Sequence, residues 1–161
     1  MVSESARMSS AAEARFRVQA ANSKPRAITV VALDGPSESV VRRLAGASWS
    51  RAAFFTASTG KPVDRGLTDL AGRTTDVMTE VEAADLVVMI AAPSGPVPGA
   101  SVIGQACNVK RVMTTGLIIG AASASDEALS NTLVQLRPWS QMLVIAHADD
   151  YVDDLLTALR A

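Results

Sequence analysis

The sequence predicts a single α/β domain with a mainly parallel sheet of about five strands between two layers of helices. Three observations carry that prediction. Residues 86–92 (LVVMIAA) form an apolar run too short to span a membrane and suited to a strand buried on both faces. A turn-rich loop (residues 93–99, PSGPVPG) and a segment with Val102, Ile103, Ala106 and Cys107 at helical spacing follow it, which is half of a βαβ unit. Short apolar runs alternate with amphipathic stretches along most of the chain, and alternation of that kind builds a three-layer, Rossmann-like parallel sheet.

Residues 1–24 are rich in Ser, Ala and Arg, with Phe16 and Val18 as the sizeable apolar residues besides the methionines, and read as a flexible tail. The domain is expected over 25–161. Residues 27–33 (AITVVAL) form the first strand. Asp34-Gly35-Pro36-Ser37 reads as a turn, with Ser37 capping a helix that carries Val40, Val41 and Leu44 on one face and stops near Gly46. Residues 51–57 (RAAFFTA) form the second strand, residues 58–72 read mostly as loop, and residues 76–83 as a helical turn leading into the central strand. Residues 115–120 (TGLIIG) give the fourth strand. Ser125 caps a helix with Leu129, Leu133 and Leu136 inward, and Pro138 lies just beyond it. Residues 142–146 (MLVIA) are the fifth strand. Residues 149–159 close the chain as a helix with Val152, Leu155, Leu156 and Leu159 at i, i+3, i+4 and i+7.

A chain of 161 residues can bury a core without disulfides or metal. Its net charge of −1, with acids and bases interspersed, speaks against an electrostatic nucleic-acid binder. One cysteine excludes an intrachain disulfide and suits a reducing compartment. No apolar run approaches the roughly 18 residues of a membrane span, and the N-terminus lacks the apolar core of a signal peptide, so a cytoplasmic protein with no membrane partner is expected.

Taken in order, the elements resemble the nucleotide-binding domain of the tubulin/FtsZ superfamily. Residues 28–44 (ITVVALDGPSESVVRRL) stand where that family has a strand, a glycine-rich phosphate loop and a helix. Residues 84–92 resemble the strand before its signature loop, 99–107 the helix after it, and 112–119 (VMTTGLII) the next strand; Leu136-Arg137 and LVIAH resemble its last helix and strand. The resemblance implies an FtsZ N-terminal-like fold. The phosphate loops depart from the family's. Nearly continuous glycine is replaced by Asp34-Gly35-Pro36-Ser37-Glu38, which places two carboxylates where phosphate would lie, and by residues 93–99, in which three prolines remove N–H donors. The chain also has no room after Ala161 for the family's second domain, so GTP hydrolysis by the family mechanism is not expected.

Ligands of open parallel sheets bind at the loops leaving the strand ends. The candidate ligand-binding residues are therefore Asp34, Gly35 and Ser37 in the first loop, Ser94, Gly95, Gly99 and Ser101 around the central one, and His147 after the fifth strand. His147, Asp149 and Asp150 read as a metal ligand or carboxylate-oriented base, or more simply as a helix cap and first-turn charges. Ser101, at the start of the central helix, could hold an anion or cap. Ser94 lacks a nucleophile elbow, and Cys107 falls on an apolar stripe. Trp49 and Trp139 read as packing residues, and Arg42-Arg43 and Lys110-Arg111 as solvated basic pairs. No catalytic or metal-ligating residue is assigned, and no cofactor is named. The first expectation is a degenerate FtsZ-like domain without GTPase activity, binding or scaffolding as a homo-oligomer or with a protein partner. The alternative is a small enzyme, or enzyme subunit, taking a nucleotide or other anionic molecule at the edge of Gly35, Gly95–Ser101 and His147; an accessory subunit completed by a partner chain is the third.

Overall fold

The computed structural model describes residues 24–57, 66–93, 95–147, 150–159 and 161. The expected tail therefore lies outside the described residues except for Lys24. Seven strands form one sheet: β1 (Ile28–Ala32), β2 (Ala52–Thr56), β3 (Gly66–Asp69), β4 (Thr74–Asp76), β5 (Leu86–Ala91), β6 (Met113–Ile118) and β7 (Met142–Ile145), in the order β4-β3-β2-β1-β5-β6-β7. β2, β1, β5, β6 and β7 pair in parallel, and β3 and β4 add antiparallel at the β2 edge. Five helices accompany them: α1 (Gly35–Ala45), α2 (Val77–Glu82), α3 (Gly99–Lys110), α4 (Asp126–Leu136) and α5 (Asp150–Ala158).

Alternation along the strands sorts the core into two layers. Val31 and Leu33, with Val87, Met89 and Ala91, face α2, α3 and α4; Ile28, Val30 and Ala32, with Leu86, Val88 and Ile90, face α1 and α5. Strand β5 is buried along its whole length, as a strand covered on both faces must be, which is why its six residues are all apolar. The chain steps from β1 to β2 under α1, then returns to β5 and on to β6 and β7 under helices of the other face. This is a doubly wound sheet in three layers. Two ion pairs tie helices on the same face: Arg43 of α1 reaches both carboxylate oxygens of Asp153 on α5 at 2.9 and 3.0 Å, and Lys110 of α3 reaches Glu82 of α2 at 3.1 Å. Arg43 is thus engaged rather than simply solvated.

The five parallel strands are those the sequence predicts; the other two are not. The sequence reads residues 58–72 as mostly loop, yet Gly66–Asp69 is strand β3, and β4 follows it. The hairpin escapes pattern reading because only Leu67 is fully buried, so no alternation of apolar residues marks it. A side chain organises its turn instead. Asp69 accepts from the N–H groups of Ala71 and Arg73, both at 2.9 Å, and from the Arg73 guanidinium at 2.8 Å, while Gly72 takes φ +86°.

A second correction concerns α1. The sequence suggests Ser37 as its cap, but the helix begins at Gly35 and Asp34 is the N-cap. Pro36 reads as a turn residue, yet it is at home in a first helical turn, where its missing N–H costs nothing. Ser37 then lies at N3 and completes a reciprocal capping box. Asp76 caps α2 and Ser125 caps α4. The proposed cap of the last helix, Asp149, lies outside the described residues.

Trp139, in the single 3-10 turn after α4, packs on α3. A Cβ built on Gly104 would stand 2.5–2.8 Å from the Cβ and ring of Trp139, so the absent side chain of Gly104 is the seat of the indole. Trp49 is held from its ring nitrogen, which donates to the Leu44 carbonyl at 2.7 Å. Gly104→Ala should therefore destabilise the domain by about 1–3 kcal/mol through overpacking, and urea titration followed by tryptophan fluorescence will measure it; an unchanged midpoint and spectrum would show that the ring does not need the notch.

The Asp69 carboxyl is held below its ordinary value, chiefly by the Arg73 N–H; burial opposes this, and the Arg73 guanidinium and Ala71 N–H add to the lowering. A carboxylate depressed by folding contributes stability above its unfolded pKa, near 3.9, and loses it as pH falls through the folded value. The protection factors of the Ala71 and Arg73 amides should fall below about pH 3.9, and Asp69→Asn should flatten that dependence. Equal protection of both proteins at every pH would overturn the assignment.

Candidate functional site

In a doubly wound sheet the ligand crevice opens where the strand order reverses, outside the carboxyl ends of the strands. Here the reversal lies between β1, whose chain turns toward β2, and β5 on its other side. The residue that stands there is Asp34. Its backbone is extended (φ −147°, ψ 172°) and the residue is 5% exposed. One carboxylate oxygen accepts from the Ser37 N–H at 3.0 Å and the Ser37 hydroxyl at 2.7 Å; the other accepts from the Ala92 N–H at 2.7 Å, just past the end of β5. Ser37 Oγ in turn accepts from the Asp34 N–H at 3.2 Å. The N-terminus of α1 and the end of β5 thus both donate to one carboxylate of the chain itself.

This placement follows from local chemistry. The first turn of a helix has N–H groups without intrahelical partners and a positive dipole end, so it binds an anion. An N-cap aspartate is the shortest covalent way to supply one. Ala92 brings a buried N–H to the same point, and a lone buried donor would cost about 1–3 kcal/mol if unmet. Gly35 leaves open space: nothing lies within 4 Å of where its Cβ would be. No G-x-x-x-x-G-K-[ST] run, the arrangement that cradles phosphates with backbone N–H groups and a lysine, occurs in the chain.

The second loop is pinned from another direction. The side-chain carbonyl of Gln135 on α4 accepts from the Val97 N–H at 2.7 Å, and its amide nitrogen donates to the Gly95 carbonyl at 3.4 Å. Gly95 takes φ +143°, a conformation that favours glycine, and Val97 is buried. Gly99 opens α3 against the strand ends, where an added Cβ would meet Ala57 Cβ at 3.2 Å and Leu33 Cδ2 at 3.4 Å. Its smallness lets the helix start settle on β1 and β2. Ser101 does not cap that helix: its hydroxyl donates to the Pro98 carbonyl at 3.1 Å, and the N-cap Pro98 offers no side-chain bond.

Asp34, Gly35 and Ser37 therefore meet the end of β5 at the switch point, with Gly99 closing over β1 and β2. Gly95 belongs to the loop held by α4. Ser94 lies outside the described residues. His147 is exposed at the end of β7, three strand spacings from β1, or about 14 Å along the sheet, so it does not share that crevice. The Cys107 thiol is buried in the core and desolvation pushes its pKa up to about 12, which keeps it protonated and unreactive. Thr114 donates its hydroxyl to the Trp139 carbonyl at 2.7 Å. Among the described residues no group of three or more His, Cys, Asp or Glu side chains is placed to hold a metal ion, and no helix is long and apolar enough to cross a membrane. The pattern reading missed three participants: Gln135, Val97 and the Ala92 N–H. The Asp-x-x-Ser spacing at the helix start was the available signal for the Asp34 cap; a backbone N–H and a loop-holding glutamine leave none.

No family model matches the chain, and no curated protein matches it. Among solved structures it is similar to translation elongation factor SelB from Methanococcus maripaludis in complex with the GTP analogue GppNHp, with a TM-score of 0.50 at 9% identity over 86% of this chain and 34% of that one. The apo form of the same factor matches with a TM-score of 0.46 at 11% identity over 82% of this chain and 33% of that one. The chain thus spans about a third of the solved chains it matches. At such identity the likeness to the first extends to the fold alone: an α/β, nucleotide-binding-type sheet.

Proposed function

We propose that this chain is a binding or scaffolding domain that has kept a nucleotide-binding type of fold and does not hydrolyse GTP, a degenerate relative of FtsZ-like domains that works by association with itself or with a protein partner. One observation carries the reading. Two donors that a doubly wound domain presents to an anionic ligand at its switch point, the Ser37 N–H in the first turn of α1 and the Ala92 N–H, are taken by the Asp34 carboxylate. A phosphate brought to the same donors would have to displace a covalently tethered anion and accept its charge alongside. The pinned second loop supports the reading from the other side, since three prolines and the Gln135 clamp leave it few free N–H groups.

A second reading, a domain that takes a nucleotide or another anionic small molecule, is favoured by the fold likeness to a chain solved with a GTP analogue. Thermal unfolding of the purified protein with GTP, GDP, ATP, NAD and flavins, with and without magnesium, separates the two. A ligand at about a hundred times its Kd adds about 2.7 kcal/mol, which for a domain of this size moves the midpoint by about 5–10 °C. No shift is expected, and a shift with any nucleotide overturns the proposal. Asp34→Ala should lower stability by about 2–4 kcal/mol, because it removes a cap and strands a buried N–H. A neutral Asp34→Ala would show that the bridge is not what holds the strand ends.

A further inference from the structure

The two edges of the sheet are built differently. β4 is three residues long, is preceded by Arg73 and ends on Asp76, so it is short and charged, as protected edges are. β7 carries no such protection. From Pro138 to His147 there is no Asp, Glu, Lys or Arg, and on this strand Met142 is 41% and Ile145 36% exposed. No described strand pairs with its outer side.

The backbone there is ready to pair. In a parallel ladder alternate residues turn their N–H and C=O toward the neighbouring strand. Ala146 donates to the Ile118 carbonyl at 2.8 Å, and Val144 stands opposite Leu117. Met142, Val144 and Ala146 therefore share the inward sense, and Leu143 and Ile145 direct their backbone groups to the open edge. Tyr151, 44% exposed on α5, flanks the same side: Asp153 points at α1 through Arg43, and a residue two positions earlier lies about 200° away around the helix.

We propose that β7 pairs antiparallel with β7 of a second copy of this chain, giving an isologous dimer with one continuous sheet. The proposal rests on the scaffolding reading above. An uncharged strand edge is matched by a strand as uncharged as itself, since a charged partner strand would leave its charges unanswered, and among the described strands β7 is the uncharged one that stands at an edge of the sheet. A two-fold axis perpendicular to the sheet keeps each face on its own side, so residues directly opposite must share a face. Centring on Val144 meets that condition. Leu143 and Ile145 then exchange hydrogen bonds with Ile145 and Leu143 of the second copy. Met142 lies opposite Ala146, large against small, and the two Val144 residues form the close, non-hydrogen-bonded pair at the axis.

The experiment is sedimentation equilibrium of the full chain, with three variants. The unsubstituted protein should be a dimer at tens of micromolar, and Ile145→Lys should raise the dimer dissociation constant at least tenfold while keeping the far-UV spectrum. Val144→Cys should cross-link to a disulfide dimer under diamide, because a non-hydrogen-bonded pair at the axis brings the two Cα atoms to about 4.5 Å. Leu143→Cys should cross-link far more slowly, and the unsubstituted protein, with Cys107 buried, sets the baseline. A protein monomeric at 100 µM, or a dimer indifferent to Ile145→Lys and not trapped by Val144→Cys, overturns the proposal. Either result leaves the scaffolding reading to be judged by the nucleotide screen, and a nucleotide-induced shift would sink that reading without touching the measured dimer.

Discussion

A carboxylate placed among backbone donors at the carboxyl ends of two parallel strands is the constraint on which the upper edge of this domain depends. Strands β1 and β5 are neighbours, but the chains leaving them go to opposite faces of the sheet, so their ends diverge and expose N–H groups in the gap. Many domains of this architecture fill the gap with a ligand. Here Asp34 fills it, binding the first turn of α1 with one oxygen and the end of β5 with the other. The consequence reaches the neighbouring elements. α1 must start at once after β1 for the Ser37 N–H to meet the carboxylate, and the chain leaving β5 is fixed at Ala92 before its proline-rich loop begins. Gly99 and Gln135 then set where that loop returns.

How legible this was in the sequence depends on which forces write a periodic signal. Burial writes a strong one. A strand buried on two faces shows as an unbroken apolar run, as β5 does, and the short runs rich in apolar and β-branched residues at β1, β6 and the half-exposed edge strand β7 were readable too, as were the apolar stripes of α1, α4 and α5. Side-chain to backbone bonding writes a weak one. The β3–β4 hairpin is organised by Asp69 rather than by a row of apolar residues, and a single buried leucine is no pattern. The Asp34 cap was hidden by its own neighbour, because Pro36 serves a turn and a first helical turn equally well. The Gln135 clamp joins residues 38 positions apart, and a contact of that kind leaves no local trace. The candidate residues of the first loop proved to be neighbours, whereas His147 follows a strand whose place in the order only the folded sheet reveals.

Fold and chemistry separate here along a physical line. The buried faces of β1 and β5 are constrained by close packing, where one methylene is felt, and a sheet of this order persists so long as apolar volume is kept. The loops at the strand ends carry no such burden and are free to change what they bind. That is why a chain 9% identical to an elongation factor solved with a GTP analogue shares its type of sheet, and why the sheet by itself says nothing of hydrolysis. The meaning of the edge lies in what its donors touch, and the two best placed of them touch Asp34.

On the proposed reading the domain acts through its remaining surfaces, and these are unequal. Helices cover both faces of the sheet. Of the two lateral edges, one ends in a short charged strand and the other in four apolar residues with their outward backbone groups unpaired among the described residues. An open edge of this kind attracts any extended chain, so it persists in a soluble state only if something specific covers it or if its shortness limits the gain. Four residues give too little pairing to hold a strand by hydrogen bonds alone, each worth about 0.5–1.5 kcal/mol net. Apolar side chains on both sides of the strand must supply the rest. Met142 and Tyr151 on one face and Ile145 on the other stand where that contribution is needed. The same absence of charge that leaves the edge unguarded is what makes it match itself.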